Sequence, residues 1–520
     1  MKLFFLLFAL SLNYSVFAQK PGAIIDVKHY TFSIDVNDEN NTIICEASIE
    51  YEGLKNAETV SFDLASPDPK GKGMKVTAVT LNGKAAAFRH DQNRLDITAK
   101  VSPLMKSTIV VKYSGEPSDG LIISKTKYGR RSFFADNWPD RARNWIVCVD
   151  DPADKAGVDF LIKAPLHYQV VANGLLVEET EIANGKRFTH WRETIDLPTK
   201  VMTLGIADFA VEHIDSTGNV RLSSWVYPED REKGFYDFRI AKEIIPFFEK
   251  YVAPFPYRKL ANVQSKTIFG GLENAGAIFY SENLVTGTRR GEPTIAHEIA
   301  HQWFGDMATE TDYSHIWLSE GFATFLTMFY MENKYGIDSV RTLLKKDREQ
   351  IIAFAAEKPV PVVDSAVKSL MDHLNVNSYQ KGGWILRMLR FQLGEETFWK
   401  GIQLYYKTYG GKNARTEDLQ KCLETVSGKD LNQFFYQWFF VPGQPDLKLR
   451  WKYDKSKKMV QIIINQLQEP LFIFPISVFI GGKETVVAVK NKETVIEIPS
   501  SSAPVSVEFD KEVKLLFKSS

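Results

Sequence analysis

The sequence predicts an α+β multidomain chain: a β-rich N-terminal saddle or sandwich, a mainly helical middle and a small C-terminal β-sandwich. Three observations support this. Apolar residues recur with a period of two up to about Phe209 and with a helical period from about Phe235 to Phe440. The period of two then returns beyond Pro442-Gly443-Gln444-Pro445. Turn pairs such as Asn82-Gly83 and Asn173-Gly174 punctuate the first part. A length of 520 residues implies several domains.

Taken in order, Met1-Lys2 precedes an apolar run from Leu3 to Leu12, and Val16-Phe17-Ala18 ends it. A positive residue, about ten apolar positions and small residues at −3 and −1 form an export signal over residues 1–18, cleaved before Gln19. So short a run cannot span a bilayer, and no membrane anchor is expected. The mature protein is expected in a periplasm or outside the cell, in a bacterial setting.

Residues 19–209 carry strand patterns at His29–Val36, Thr59–Leu64, Ser107–Tyr113 and Tyr168–Val171. Residues 210–440 begin with a few strands. Helices are then expected over Phe235–Tyr251, stopped by Pro254, and over Ser339–Ala356, Gly382–Leu393, Glu396–Tyr409, Thr416–Val426 and Asp430–Phe440. One stretch, from Val263 to Gly276, reads as a glycine-rich edge strand. Residues 441–520 return to short strands, the last at Val505–Phe509 and Val513–Phe517.

The 64 basic and 64 acidic residues cancel, and loss of Lys2 leaves 63 − 64 = −1. That balance gives no reason to expect nucleic acid or an acidic membrane as partner. Cys45, Cys148 and Cys422 are too few for a disulfide framework. Cys45 and Cys148 could lie close, but three buried thiols are the favoured reading. Nothing in the sequence fixes the oligomeric state.

The chemistry concentrates at Thr294–Glu320. His297 and His301 are four apart, so on a helix both imidazoles leave one face and can grip one ion. Glu298 is placed as general base for an activated water. Glu320 follows His301 after eighteen residues, room for a turn and a returning helix. Two histidines and one glutamate leave zinc an open fourth position, as in a hydrolytic site. The bland alternative is a pair of surface histidines on an ordinary helix. With nine histidines in the chain, this pattern arises by chance in on the order of one chain in a hundred.

Four motifs then carry a family resemblance. Gly270-Gly271-Leu272-Glu273-Asn274 looks like the G-x-M-E-N signature of the zinc aminopeptidases of the aminopeptidase N and leukotriene A4 hydrolase superfamily. His297-Glu298-x-x-His301 with Glu320 matches that superfamily's zinc signature. Tyr379-x-Lys381-Gly382 resembles its Y-x-K-G element, and the run Ala142-Arg143 through Asp150, Pro152 and Lys155-Ala156 resembles its N-terminal domain motif. The matches run in family order from about residue 30 to 450.

The resemblance implies a thermolysin-like catalytic domain and one zinc ion (Zn2+) per chain on His297, His301 and Glu320. It implies Glu298 as the base and Tyr379 as donor to the oxyanion. It also implies that Glu273, with Gly270, Gly271 and Asn274 around it, binds the free α-ammonium of a peptide substrate. Asp136, in the N-terminal loop, either assists Glu273 or is a surface charge.

Three departures stand out. Thr327, seven residues beyond Glu320, replaces a glutamate that usually orients a zinc histidine; its hydroxyl can accept that hydrogen bond but is neutral, so weaker zinc binding is expected. Asp136-Asn137-Trp138 replaces the commoner Gln/Glu pattern. The chain ends where many relatives continue into a large helical domain, so a more open cleft is expected unless another chain covers it. The expected activity is zinc-dependent aminopeptidase. An endopeptidase, or a silent peptide-binding scaffold of the same fold, is the rival; the metal site alone would serve an endopeptidase, and Glu273 argues against one.

Overall fold

The structure is a computed structural model and describes residues 21–520. The expected export signal lies outside the described residues.

The largest sheet has eight strands, in the spatial order Leu175–Ile182, Lys186–Pro198, Lys155–Pro165, Ile25–Asp35, Ile43–Gly53, Lys106–Glu116, Gly73–Leu81 and Lys84–Ala85. Neighbours are antiparallel except Ile25–Asp35 and Lys155–Pro165, which run parallel with His29 opposite Gly157. The alternation that predicted strands is the alternation of burial. Along Ile43–Gly53, Ile43, Cys45, Ala47, Ile49 and Tyr51 face the core and the residues between them do not. Asn82 and Gly83 both take positive φ (49° and 78°), as a two-residue hairpin turn requires. A three-stranded sheet (Ala57–Asp63, Arg94–Val101, Phe88–Asp91) and a four-stranded sheet (Gln169–Ala172, Leu204–Ala207, Arg131–Ala135, Leu121–Lys125) complete this β-rich part. Cys45, Cys148 and Cys422 are free and buried.

A five-stranded sheet follows, in the order Ala210–Thr217, Val220–Val226, Lys259–Ser265, Ala277–Ser281, Gly271–Leu272. The stretch Val263–Gly276 is therefore not one edge strand. Its first part belongs to the central strand, buried along its whole length, and only Gly271–Leu272 forms the edge. The mixed apolar and glycine-rich composition hid the turn between them.

Around this sheet pack α1 (Arg231–Phe238), α2 (Ala241–Tyr251), α3 (Glu292–His301), α4 (Trp317–Tyr335), α5 (Ile337–Glu357), α6 (Gly382–Leu393), α7 (Glu395–Tyr409) and α8 (Thr416–Ser427). The single helix expected over Phe235–Tyr251 is two helices. The break at Arg239–Ile240 is bridged by short-range bonds, Lys242 N to Arg239 O (3.1 Å) and Glu243 N to Ile240 O (2.9 Å).

The C-terminal part has a four-stranded sheet built on Asp446–Asp454 and Met459–Gln466 and a three-stranded sheet built on Phe474–Ile480 and Lys483–Val489. Val513–Phe517 is not a strand. The Asp510 carboxylate accepts from Lys514 N (2.7 Å), and Arg348 donates to Leu515 O (2.7 Å), so side chains take its backbone groups before a ladder can form. Among the described residues no helix is long and apolar enough to cross a membrane.

Candidate active site

α3 opens with Pro293 in its first turn, where the missing N–H costs nothing, and presents His297, Glu298 and His301 inward. Past Gln302 the chain turns at Gly305, whose φ is +123°. A Cβ there would lie 2.3 Å from Ser319 Oγ and 3.1 Å from His301 Nδ1, so glycine lets the turn tuck under the first residues of α4. α4 brings back Glu320. Gly321 then faces Gly382 so closely that a Cβ on either would meet the other's Cα at 3.0 Å. That approach sets the start of α6, and with it Tyr379, beside α4. Tyr379 sits in a wide π-helical turn, Asn377–Lys381, a geometry common at functional positions.

The three ligand atoms converge. His297 Nε2 lies 3.3 Å from Glu320 Oε2, His301 Nε2 lies 3.2 Å from the same oxygen, and the two imidazole nitrogens are 3.1 Å apart. Bonds of about 2.0–2.2 Å from a tetrahedral ion span edges of about 3.3–3.6 Å, so the set fits zinc to within a few tenths of an ångström. His301 Nδ1 lies 3.1 Å from Phe304 O. A carbonyl can only accept, so the proton is on Nδ1 and the Nε2 lone pair is free for a metal. Ser319 Oγ adds a second contact to Nδ1 at 3.0 Å.

The electrostatics point the same way. Burial disfavours the charged form of His301, but Glu320, Glu273 and Glu298 outweigh it and raise the group to about 10, so a metal binding through Nε2 would displace the proton that these carboxylates attract. Burial raises the Glu298 carboxyl well above the usual range; His301 opposes this and Glu273 and Glu320 add to it. Burial also works against the charge of Glu320, yet the two histidines hold its carboxyl well below the usual range. Three buried carboxylates share a small volume, an excess of negative charge that a divalent ion offsets.

Glu273 follows the edge strand and opens on the same cleft. It is 5% exposed, and its Oε1 has no hydrogen-bond partner among the described residues. Gln302 Nε2 donates to Glu273 O at 2.8 Å, which ties this wall to the residue after His301. Tyr379 lines the cleft with its ring stacked on His297 at 6.0 Å between centroids. Burial and the nearby carboxylates hold its phenol well above the usual value, so it stays a donor. A roomier apolar hollow between α6 and the C-terminal sheets, lined by Phe391, Trp438 and Phe474, shares no residue with this cleft.

Residues 236–438 match the peptidase family M1 domain, and residues 26–201 match the peptidase M1 N-terminal domain. The chain belongs to peptidase family M1. Within the family it is 27% identical over 494 residues to the leucyl aminopeptidase of Saccharolobus solfataricus, covering 88% of this chain and 59% of that one. It is 26% identical over 468 residues to a probable aminopeptidase 2 of Sulfurisphaera tokodaii, covering 84% and 58%. The chain thus spans about three fifths of the length of these relatives. The crystal structure of Legionella pneumophila aminopeptidase A in complex with aspartic acid superposes with a TM-score of 0.84 at 19% identity, over 95% of this chain and 59% of that one. That likeness extends the family assignment to the fold.

Two M1 positions differ from expectation. Thr327 does not reach a histidine: its hydroxyl donates to Ala323 O one turn back at 2.8 Å, the ordinary use of a threonine inside a helix. Asp136 is not a surface charge, and none of its hydrogen bonds goes to Glu273. Its carboxylate is fully buried and satisfied by Arg141, by Thr267 Oγ1 (3.0 Å) and by Ile268 N (2.9 Å), so it pins the backbone leading into the edge strand. Gly270 and Asn274 serve the backbone too, Gly270 O accepting from Ser281 N and Asn274 O from Ala277 N, both at 3.0 Å. Trp138 was missed as a site residue. It lines the cleft edge-on to Phe269 at 6.1 Å, and its place beside Asp136 was the only hint in the sequence.

Proposed function

We propose that this chain is a zinc-dependent aminopeptidase, hydrolysing the first peptide bond of substrates with a free amino terminus. The observation that carries this is the unpartnered carboxylate oxygen of Glu273 in the same cleft as the His297, His301 and Glu320 group. A buried carboxylate oxygen left without a hydrogen bond is stabilised by a cation, and a peptide's α-ammonium is the cation that would bring a scissile bond with it.

A zinc ion held by His297, His301 and Glu320 would supply Lewis acidity to the scissile carbonyl and would lower a water's pKa toward about 7. Glu298 takes the proton of the attacking water and passes it to the leaving amine. Tyr379 donates its phenolic hydrogen to the developing oxyanion, a contribution of a few kcal/mol, about 3, when such a donor is lost. Glu273 holds the ammonium and so sets which bond is presented.

Included in this reading are the division into residues 19–209, 210–440 and 441–520 and export directed by residues 1–18, for which amino-terminal sequencing of the mature protein near Gln19 is the check. The deciding experiment compares an aminoacyl chromogenic amide with its N-acetylated twin, alongside metal analysis. Cleavage confined to the free amine, with near one zinc per chain, is expected. Equal cleavage of both would sink the exopeptidase reading.

A further inference from the structure

Glu273–Gly276 leaves the sheet at its edge, and strand pairing ends at Leu272. Three of its backbone groups are taken instead by two buried side-chain amides. Gln302 Nε2 donates to Glu273 O at 2.8 Å, and Gln302 Oε1 accepts from Gly276 N at 2.8 Å. From the N-terminal part, Asn173 Nδ2 donates to Ala275 O (2.8 Å) and to Val201 O (2.9 Å), and Asn173 Oδ1 accepts from Thr203 N (2.6 Å). Ala275 N closes the set by donating to Val201 O at 3.2 Å. Both amides are fully buried, at 0% exposure.

A buried amide costs free energy unless its donors and acceptor are paired, and here each pairs with the wall that carries Glu273. Filling space alone would be served by methionine. Gln302 directly follows His301, so one residue and two hydrogen bonds connect a metal ligand to the carboxylate opposite it.

We infer that Gln302 is a positioning residue. It fixes the separation between the ammonium anchor Glu273 and the metal group, and Asn173 braces the same segment from the far side. The inference rests on the aminopeptidase reading above. It assigns selection for a free amino terminus to the rigidity of this wall as well as to the charge of Glu273. Misplacing a reacting group by about 1 Å costs on the order of 100-fold in rate.

The test is Gln302→Met, with Asn173→Ser as a second variant remote from the metal helix. Each is assayed with the free-amine amide and its acetylated twin, with zinc content and melting temperature measured in parallel. For the variants, we expect kcat/KM on the free amine to fall by about 10- to 100-fold, mainly through kcat. Residual acetyl-substrate cleavage and zinc content stay at wild-type levels, so the preference for the free amine collapses. A purely structural role would lower both substrates together, and an unchanged preference in a folded, zinc-loaded variant overturns the inference. If Gln302→Met fails to fold, Asn173→Ser decides by the same criterion. Absence of any preference in the wild type refutes the aminopeptidase reading instead.

Discussion

Gly271 lies against the carboxylate of Glu298: a Cβ at position 271 would stand 2.3 Å from Oε1 and 2.5 Å from Cδ. The edge of the sheet and the proposed base on α3 are in contact only because residue 271 has no side chain. The glycine is therefore a constraint on where the base points, independent of any need for the substrate to approach the strand.

Gly271→Ala should displace Glu298 without touching the metal ligands. We expect kcat to fall by about 10- to 100-fold with zinc content unchanged, read from steady-state kinetics and metal analysis. A kcat within twofold of wild type would mean that Glu298 has room to move aside.

Glu298→Gln keeps the volume and removes the base. Turnover should drop by about 100-fold or more while zinc remains bound. Full activity in a zinc-loaded variant would refute the assignment of Glu298.

Ser319 and Thr327 separate the two candidates for orienting a zinc histidine. Ser319→Ala removes the hydroxyl 3.0 Å from His301 Nδ1 and should weaken zinc binding by about 10-fold or more in a chelator competition. Thr327→Val removes only a bond to Ala323 O and should leave affinity within about twofold. The reverse order would restore Thr327 to the role expected from its spacing.

Lys381 gives a pH dependence with a definite sign. Burial lowers its ammonium from 10.5 to about 7, and Nζ donates to Gly443 O at 2.7 Å. Between those values the unfolded chain binds more protons than the folded one, so stability rises with pH across the window and is lost as pH falls toward 7. From pH 7.5 to 9.5 this group contributes about 2 kcal/mol. Lys381→Met should remove that part of the slope, seen as a smaller shift in denaturation midpoint than in wild type.

The metal group was legible because its geometry is local: the i, i+4 spacing on α3 and a short return to α4 fix three donor atoms almost from the sequence alone. Glu273 and Tyr379 were legible only through family resemblance, and the structure brings both to the cleft. The partners of Thr327 and Asp136 were not legible, for one reason. A side chain's partner is whatever tertiary neighbour reaches it first: for Asp136, Arg141 and the backbone at Ile268; for Thr327, its own helix. Gln302 and Ser319 gave no signal beyond being polar neighbours of zinc ligands. The edge strand was half legible, because glycine content marks Gly271–Leu272 but not the turn that precedes it.

The docking of Ala275 onto Val201 and Asn173 has a consequence for the order of folding. The parallel pairing of Ile25–Asp35 with Lys155–Pro165 can form once the chain has grown to that point, and the Thr199–Thr203 surface follows soon after. The receiving surface thus lies earlier in the chain than the segment it receives, and both precede α3. A lesion that delays folding of the first 200 or so residues would leave α3 and α4 to pack against an unfinished wall. Such a chain could load zinc and still lack a defined amino-terminal stop.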